Sequence, residues 1–255
     1  MRGKAQPQEL RAKQRAPDLP AEVLDVLQAL IEAGGDDLSA VLWHGSYARG
    51  EAKPDSDHDL IIVLKRADDG VLLRLQGVFH GRENWSTFVQ TEEELRQYPI
   101  HGRLEFAYGV QPLYGRLEPL EIRREHVLDE IRSLARNIRF ECRYRLLHRE
   151  QEYVEMEPHY RDFQRARNAR MLRYAAKLAV MALKARELLK SGAYPCTRDE
   201  LRRCLTHKDE LSIVDIIDRW DELRPEFERD ATPLALQLDV FARELVAELD
   251  SGALA

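Results

Sequence analysis

The stretch "WHGSYARGEAKPDSDHDLIIVL", residues 43–64, decides how this chain is read. It ends in an apolar run, Leu60 to Leu64, headed by Asp57-His58-Asp59. Alternate side chains of a strand share a face, so Asp57 and Asp59 point the same way. Two unneutralised carboxylates that close repel each other, and the pattern calls for a cation between them. Upstream, Gly45 presents backbone that a phosphate can approach with no Cβ in the way. Ser46 opens a helical turn, where free N–H groups and the positive dipole end favour an anion, and its hydroxyl adds a hydrogen bond. Mg²⁺ takes a few carboxylate oxygens and fills its shell with phosphate and water, so Asp57 and Asp59 read as ligands of Mg²⁺ held against a triphosphate. With two such ions, one activates an attacking hydroxyl and the other steadies departing pyrophosphate. The plain alternatives are a solvated loop acid and strand cap for the aspartates, and turn residues for Ser46 and Ser56. The joint spacing with Gly45-Ser46 favours the metal reading.

Around this motif the pattern is that of an α+β head. "PAEVLDVLQALIEAG" has helical period, with Pro20 near its start, Val23, Leu24, Leu27, Leu30 and Ile31 on one face, and Gly34-Gly35 at its end. "SAVLWHG" reads as a short strand, "KPDSD" as a loop, and "HDLIIVLK" as a strand buried on both faces. A helix over "DDGVLLRLQGVFH" follows, then a strand over "NWSTFVQT". Thr91 and Glu94 have capping-box spacing for a short helix that closes before Pro99. "RLEFAYGVQPLYG" reads as a further strand bent at Gly109. From Pro119 the runs are helical in period. The expected division is an arm at 1–19, a head at 20–117 and a C-terminal helical bundle at 118–255.

Bulk properties exclude several classes. With 44% hydrophobic and 33% charged residues the chain resembles an ordinary soluble globular protein. No apolar run is long enough to span a bilayer. The charged N-terminus has no apolar core, so it reads as a disordered or partly helical arm rather than a signal peptide. Three cysteines form no disulfide framework and fit a reducing cytosol, so a cytoplasmic location is expected. Cys196, Cys204 and His207 make no complete ligand set, and chance explains their proximity. A net charge of −6 argues against unspecific coating of nucleic acid.

The combination Gly45, Ser46, Ala48, Arg49, Gly50, Ser56, Asp57, Asp59 resembles the signature of the DNA polymerase β nucleotidyltransferase superfamily: G-S-x-A-R-G, a loop, then S-D-x-D. "ELRQYPIHGRLEFAYG" is similar to the region after the catalytic sheet in streptomycin/spectinomycin adenylyltransferases. "AAKLAVMALKARELLKSGAYPCTRDEL" is similar to second-domain helices of the kanamycin nucleotidyltransferase group and its HEPN-like relatives. The resemblance implies a nucleotidyltransferase head with a mixed β-sheet, followed by a helical bundle that supplies an acceptor pocket. It implies Mg²⁺-dependent transfer of a nucleoside monophosphate, AMP from ATP by family analogy, to an acceptor hydroxyl. Gly45, Ser46, Arg49 and Ser56 are then candidates for binding the triphosphate, with an ion pair inside the head as the other role for Arg49. The family carries a third acid on the next core strand, as metal ligand or base. Here Ser86 falls at that position; Glu83 at the strand's edge is the provisional base and Glu105 the other candidate.

The remaining signals divide on the acceptor. Arg132, Arg136, Arg139 and Arg143 share one helix face, a solvated or acid-paired face by default and a basic wall toward triphosphate or RNA otherwise. The acidic "EQEYVEMEP", 150–158, favours a polycationic small molecule such as an aminoglycoside, although a solvated loop explains it equally. Arg143-x₄-His148 and Arg202-x₄-His207 have HEPN-like spacing, which coincidence explains in so arginine-rich a chain. Lys53 reads as solvated; Lys177 and Lys184 lie in an otherwise apolar helix. The expected partners are an NTP and a hydroxyl-bearing small molecule, with tRNA or protein acceptors, as in toxin–antitoxin nucleotidyltransferases, less favoured. A homodimer is a further option. A nucleotide-binding or interaction module that has lost catalysis is the non-enzymatic alternative.

Overall fold

The computed structural model describes residues 19–54, 56–97, 100–118, 120–147 and 158–252. The expected arm, save Leu19, and the acidic run 150–158, save Pro158, lie outside the described residues. Two compact units divide between Ile122 and Arg123.

The first unit is built on a four-stranded sheet ordered β3-β2-β1-β4. Strands β1 (Leu38–His44) and β2 (His58–Leu64) are antiparallel, as are β1 and β4 (Gln111–Gly115); β2 and β3 (Trp85–Thr91) are parallel. The sheet is therefore mixed, and the fold is α+β. The apolar run of β2 is buried on both sides because helices cover both faces. Helices α1 (Ala21–Gly34) and α3 (Asp69–Phe79) pack on the face of Val41, Trp43, Leu60 and Ile62. On the opposite face, Leu95 of α4 (Glu92–Arg96) and Phe106 of α5 (Ile100–Tyr108) pack against Ala40, Leu42, Ile61 and Val63.

Local chemistry sets the element ends. The Asp68 carboxylate accepts from Val71 N–H at 3.0 Å and caps α3. Thr91 and Glu94 form the reciprocal capping box that the spacing predicts. Two readings are corrected. In α1 Val23, Val26 and Leu30 are buried and Leu27 and Ile31 pack against the same core, but Leu24 is exposed and Val26 takes its place on the face turned to the sheet. The segment read as one bent strand is a helix, α5, followed by β4. Leu104, Phe106 and Tyr108 alternate like a strand, but Leu, Glu, Ala and Arg favour a helix, and Phe106 is drawn into the core. Gly109 ends it, donating to Glu105 O at 2.7 Å.

The second unit is helical: α6 (Arg124–Leu147), α7 (Pro158–Ser191), α8 (Arg198–Cys204), α9 (Lys208–Asp218), α10 (Trp220–Arg229) and α11 (Thr232–Asp250). Ile131, Leu134 and Ile138 of α6, Leu172, Ala176 and Leu183 of α7, and Leu234, Leu238 and Ala242 of α11 are buried. Arg186 of α7 is buried too. It binds Glu210 of α9 through two contacts, one at 2.9 Å, and approaches Glu248 of α11 at 3.6 Å. No helix among the described residues is long and apolar enough to cross a membrane.

Candidate active site

Topology gathers the motif at one end of the sheet. β1 ends at His44 and β2 starts at His58; as antiparallel neighbours they place that end and that start together, with His44 opposite Asp59. β3 runs parallel to β2, so its first residues arrive at the same end, Trp85 beside His58 and Ser86 beside Asp59. Between β1 and β2 the chain makes one helical turn, α2 (Gly45–Ala48). The turn is closed by Gly50 N–H on Tyr47 O at 3.1 Å and Glu51 N–H on Ser46 O at 2.8 Å. A single turn has little macrodipole, so what it offers an anion is its own N–H groups.

Gly45 is where the two halves of the motif meet. Its φ is +70°, in the left-handed region. A Cβ built on it would stand 1.9 Å from Asp59 Oδ2 and 2.8 Å from Asp59 Cγ. The turn's backbone and the Asp59 carboxylate are thus in direct contact, which only glycine permits. Asp57 is exposed just before β2 and makes no ion pair among the described residues. The Ser46 hydroxyl has no hydrogen-bond partner among them either. Ser56 closes its loop: its hydroxyl accepts from Lys53 N–H at 2.8 Å, and its own N–H donates to Lys53 O at 2.9 Å.

Arg49 is held by two carboxylates, Glu51 with Nε to Oε2 at 3.0 Å and Glu105 with Nη1 to Oε2 at 3.4 Å. Of its two expected roles, the geometry displays the ion pair inside the head. Glu105 lies on helix α5, not on a strand, and is 7% exposed; its carboxylate is engaged with Arg49. Glu83 is exposed in the loop leading into β3, at the same end of the sheet as Asp57. Ser86 is the residue in register with Asp59. Among the described residues no three His, Cys, Asp or Glu gather as a ready-made metal cluster.

The motif's reading missed what lies behind it. His58, between the two aspartates, turns to the other face and is buried. Its ring stacks on Tyr47 of the turn at 4.1 Å and on Trp85 of β3 at 4.6 Å, and Tyr47 stacks in turn on Trp43 at 5.2 Å. Glu22 of α1 holds His58 Nε2 at 3.1 Å. This aromatic stack ties the glycine-serine turn to the start of β2, which the two aspartates flank. The clue was in the sequence, as Trp43, Tyr47, His58 and Trp85 all border the motif.

Other singled-out residues have structural roles. Lys184 donates to Cys196 O at 2.7 Å, with the Tyr194 ring 5.6 Å from its Nζ. Arg202 is tied to Asp199, Asp215 and Asp218, which accounts for it without ribonuclease chemistry; His148 lies outside the described residues. Burial pushes the Cys142 thiol up to about 12, so it is an inert core group.

The mixed sheet with a helical second unit agrees with a nucleotidyltransferase fold. Residues 25–144 match the family model described as nucleotidyltransferase domain, and the chain resembles the DNA polymerase β superfamily in its Gly45-to-Asp59 motif. It is an enzyme of nucleoside monophosphate transfer. Among solved structures, it is similar to spectinomycin adenyltransferase AAD(9) from Enterococcus faecialis, crystallised with ATP and spectinomycin. That match has a TM-score of 0.49 and 9% identity, covering 88% of this chain and 98% of the other. No curated protein sequence matches the chain.

Proposed function

We propose that the enzyme transfers AMP from Mg²⁺-bound ATP to a hydroxyl of a small-molecule acceptor, an aminoglycoside-like polycation, in a cytoplasmic setting. The observation that carries the metal and nucleotide parts is the contact between Gly45 and Asp59. A side chain at Gly45 would fill the space where turn backbone and carboxylate meet, and with Asp57 beside them the donors suit a hard cation shared with phosphate oxygens. Asp57 and Asp59 would hold Mg²⁺ there, which would supply charge neutralisation for the polyphosphate and a lowered pKa for the acceptor hydroxyl.

The chain's own residues do the rest. N–H groups of the Gly45–Ala48 turn and the Ser46 hydroxyl hold phosphate oxygens, and Ser56 keeps the loop before Asp57 closed. Arg49, fixed by Glu51 and Glu105, supports the turn from behind and adds positive field. Glu83 takes the proton of the acceptor hydroxyl. The acceptor oxygen then bonds to the α-phosphorus, the bond from that phosphorus to the α–β bridging oxygen breaks, and pyrophosphate leaves with the electron pair. AMP as the transferred group and the small polycation as acceptor rest on the sequence resemblance and on the acidic run 150–158.

Ser86 favours a second reading. With a hydroxyl where the superfamily has its third acid, the domain binds Mg²⁺–nucleotide and turns over slowly or not at all. Pyrophosphate release from ATP, with and without Mg²⁺ and across aminoglycosides and tRNA, separates the two. Release that needs Mg²⁺ and an aminoglycoside, and drops at least about a hundredfold in Glu83→Gln, supports the proposal. Release only with tRNA overturns the acceptor, and no release with any acceptor leaves the binding module.

A further inference from the structure

The helical unit carries a feature that the reaction proposed above does not invoke. Helix α6 buries Ile131, Leu134, Ile138 and Cys142. A different face of the same helix presents Arg136, Arg139, Phe140, Arg143, Tyr144 and Leu147, which line an open groove of about 490 Å³. Phe140 is 65% exposed and Tyr144 49%, their ring centroids 6.4 Å apart. Arg143 is tied to Asp239 at 2.9 Å, but Arg136 and Arg139 have no acid partner among the described residues. The Arg139 Nε is buried without a hydrogen bond. Helix α7 repeats the pattern: Phe163, Arg167, Arg170 and Tyr174 follow one another at helical spacing, all exposed.

Charge decides what such faces suit. Residues 136–147 hold four arginines and one acid, and 163–174 four arginines and no acid, in a chain of net charge −6. A merely solvated helix face carries mixed charges and no large rings. A second copy of this chain, docked by two-fold symmetry, would set each arginine stripe against itself. Guanidinium groups pair with phosphates and stack on planar rings, and exposed aromatics offer a platform to any base. We propose that these faces of α6 and α7 dock single-stranded nucleic acid, its phosphates on Arg136, Arg139, Arg167 and Arg170 and its bases against Phe140 and Tyr144. The surface is independent of the reaction proposed for the head.

Fluorescence anisotropy of the full chain with labelled single-stranded RNA, single-stranded DNA and duplex DNA tests this. Single strands bind better than duplex, and a preference between RNA and DNA shows whether the 2′-hydroxyl is read. In Arg136→Ala/Arg139→Ala the salt dependence flattens, log K against log salt losing about 1.4 in slope. In Phe140→Ala/Tyr144→Ala the slope stays and affinity falls about fivefold or more. Arg136, Phe140 and Tyr144 are exposed and Arg139 is half-buried, and matched circular dichroism and melting confirm that the variants fold. No binding at low salt overturns the proposal, as does binding that neither variant alters. Inorganic polyphosphate competing equally well in wild type and in Phe140→Ala/Tyr144→Ala also overturns it, as does a dimer seen in sedimentation that the aromatic variant disperses while oligonucleotide binding is absent.

Discussion

Gly45 concentrates the chemistry of this site into one missing side chain. Its φ of +70° costs a residue with Cβ roughly 1–2 kcal/mol, and the Cβ would in addition drive Asp59 out of place. Gly45→Ala is therefore expected to melt slightly lower and to lose about a hundredfold in kcat, the scale of a misplacement near 1 Å. A variant that keeps wild-type turnover would show that the contact has no role. That Gly45, Ser46 and the two aspartates meet at one end of the sheet was legible because the spacing joins them. The surroundings of the neighbouring acids were not. Three acids of the head, Glu51, Glu83 and Glu105, look alike in sequence, and only packing reveals that two of them hold Arg49.

At the scale of elements, the Trp43–Tyr47–His58–Trp85 stack links turn, β2 and β3. His58→Phe keeps a stacking ring and is expected to retain most activity, whereas His58→Ala loosens the turn and raises KM for nucleotide about tenfold with a smaller change in kcat. Indole fluorescence of Trp43 and Trp85 reports the loosening directly, apart from turnover. Equal effects of both substitutions, or none, would contradict a positioning role. Strands β1 to β3 were legible because β2 is apolar throughout and Gly and Asp bound the runs. Helix α5 was misread because five residues alternating like a strand carry no record of the core that Phe106 enters.

For the whole molecule, the helical unit depends on a charge buried among helices. Burial acts to raise the Glu210 carboxyl, but hydrogen bonding and attraction to Arg186 prevail and hold it below its ordinary value of 4.5. A carboxylate depressed in the folded state contributes stability above its unfolded pKa and loses it as pH falls through the folded one. The melting temperature of this unit is thus expected to hold from neutral pH to about 4.5 and to fall below that. Glu210→Gln should lower it at pH 7 and flatten the acid limb, since an underpaired Arg186 costs about 1–3 kcal/mol. An acid limb unchanged in the variant would assign the loss elsewhere. Helical period announced this unit, yet Glu210, which Arg186 binds in addition to its neighbour Glu187, lies 24 residues away, beyond any local pattern.

The most direct test of the central claim is a calorimetric titration of ATP into the full chain, with and without Mg²⁺, in wild type and in Asp57→Ala/Asp59→Ala. The account predicts binding that needs Mg²⁺ and is lost in the double variant while its melting temperature is kept. ATP binding of equal strength without metal, or undiminished when both aspartates are gone, would contradict it.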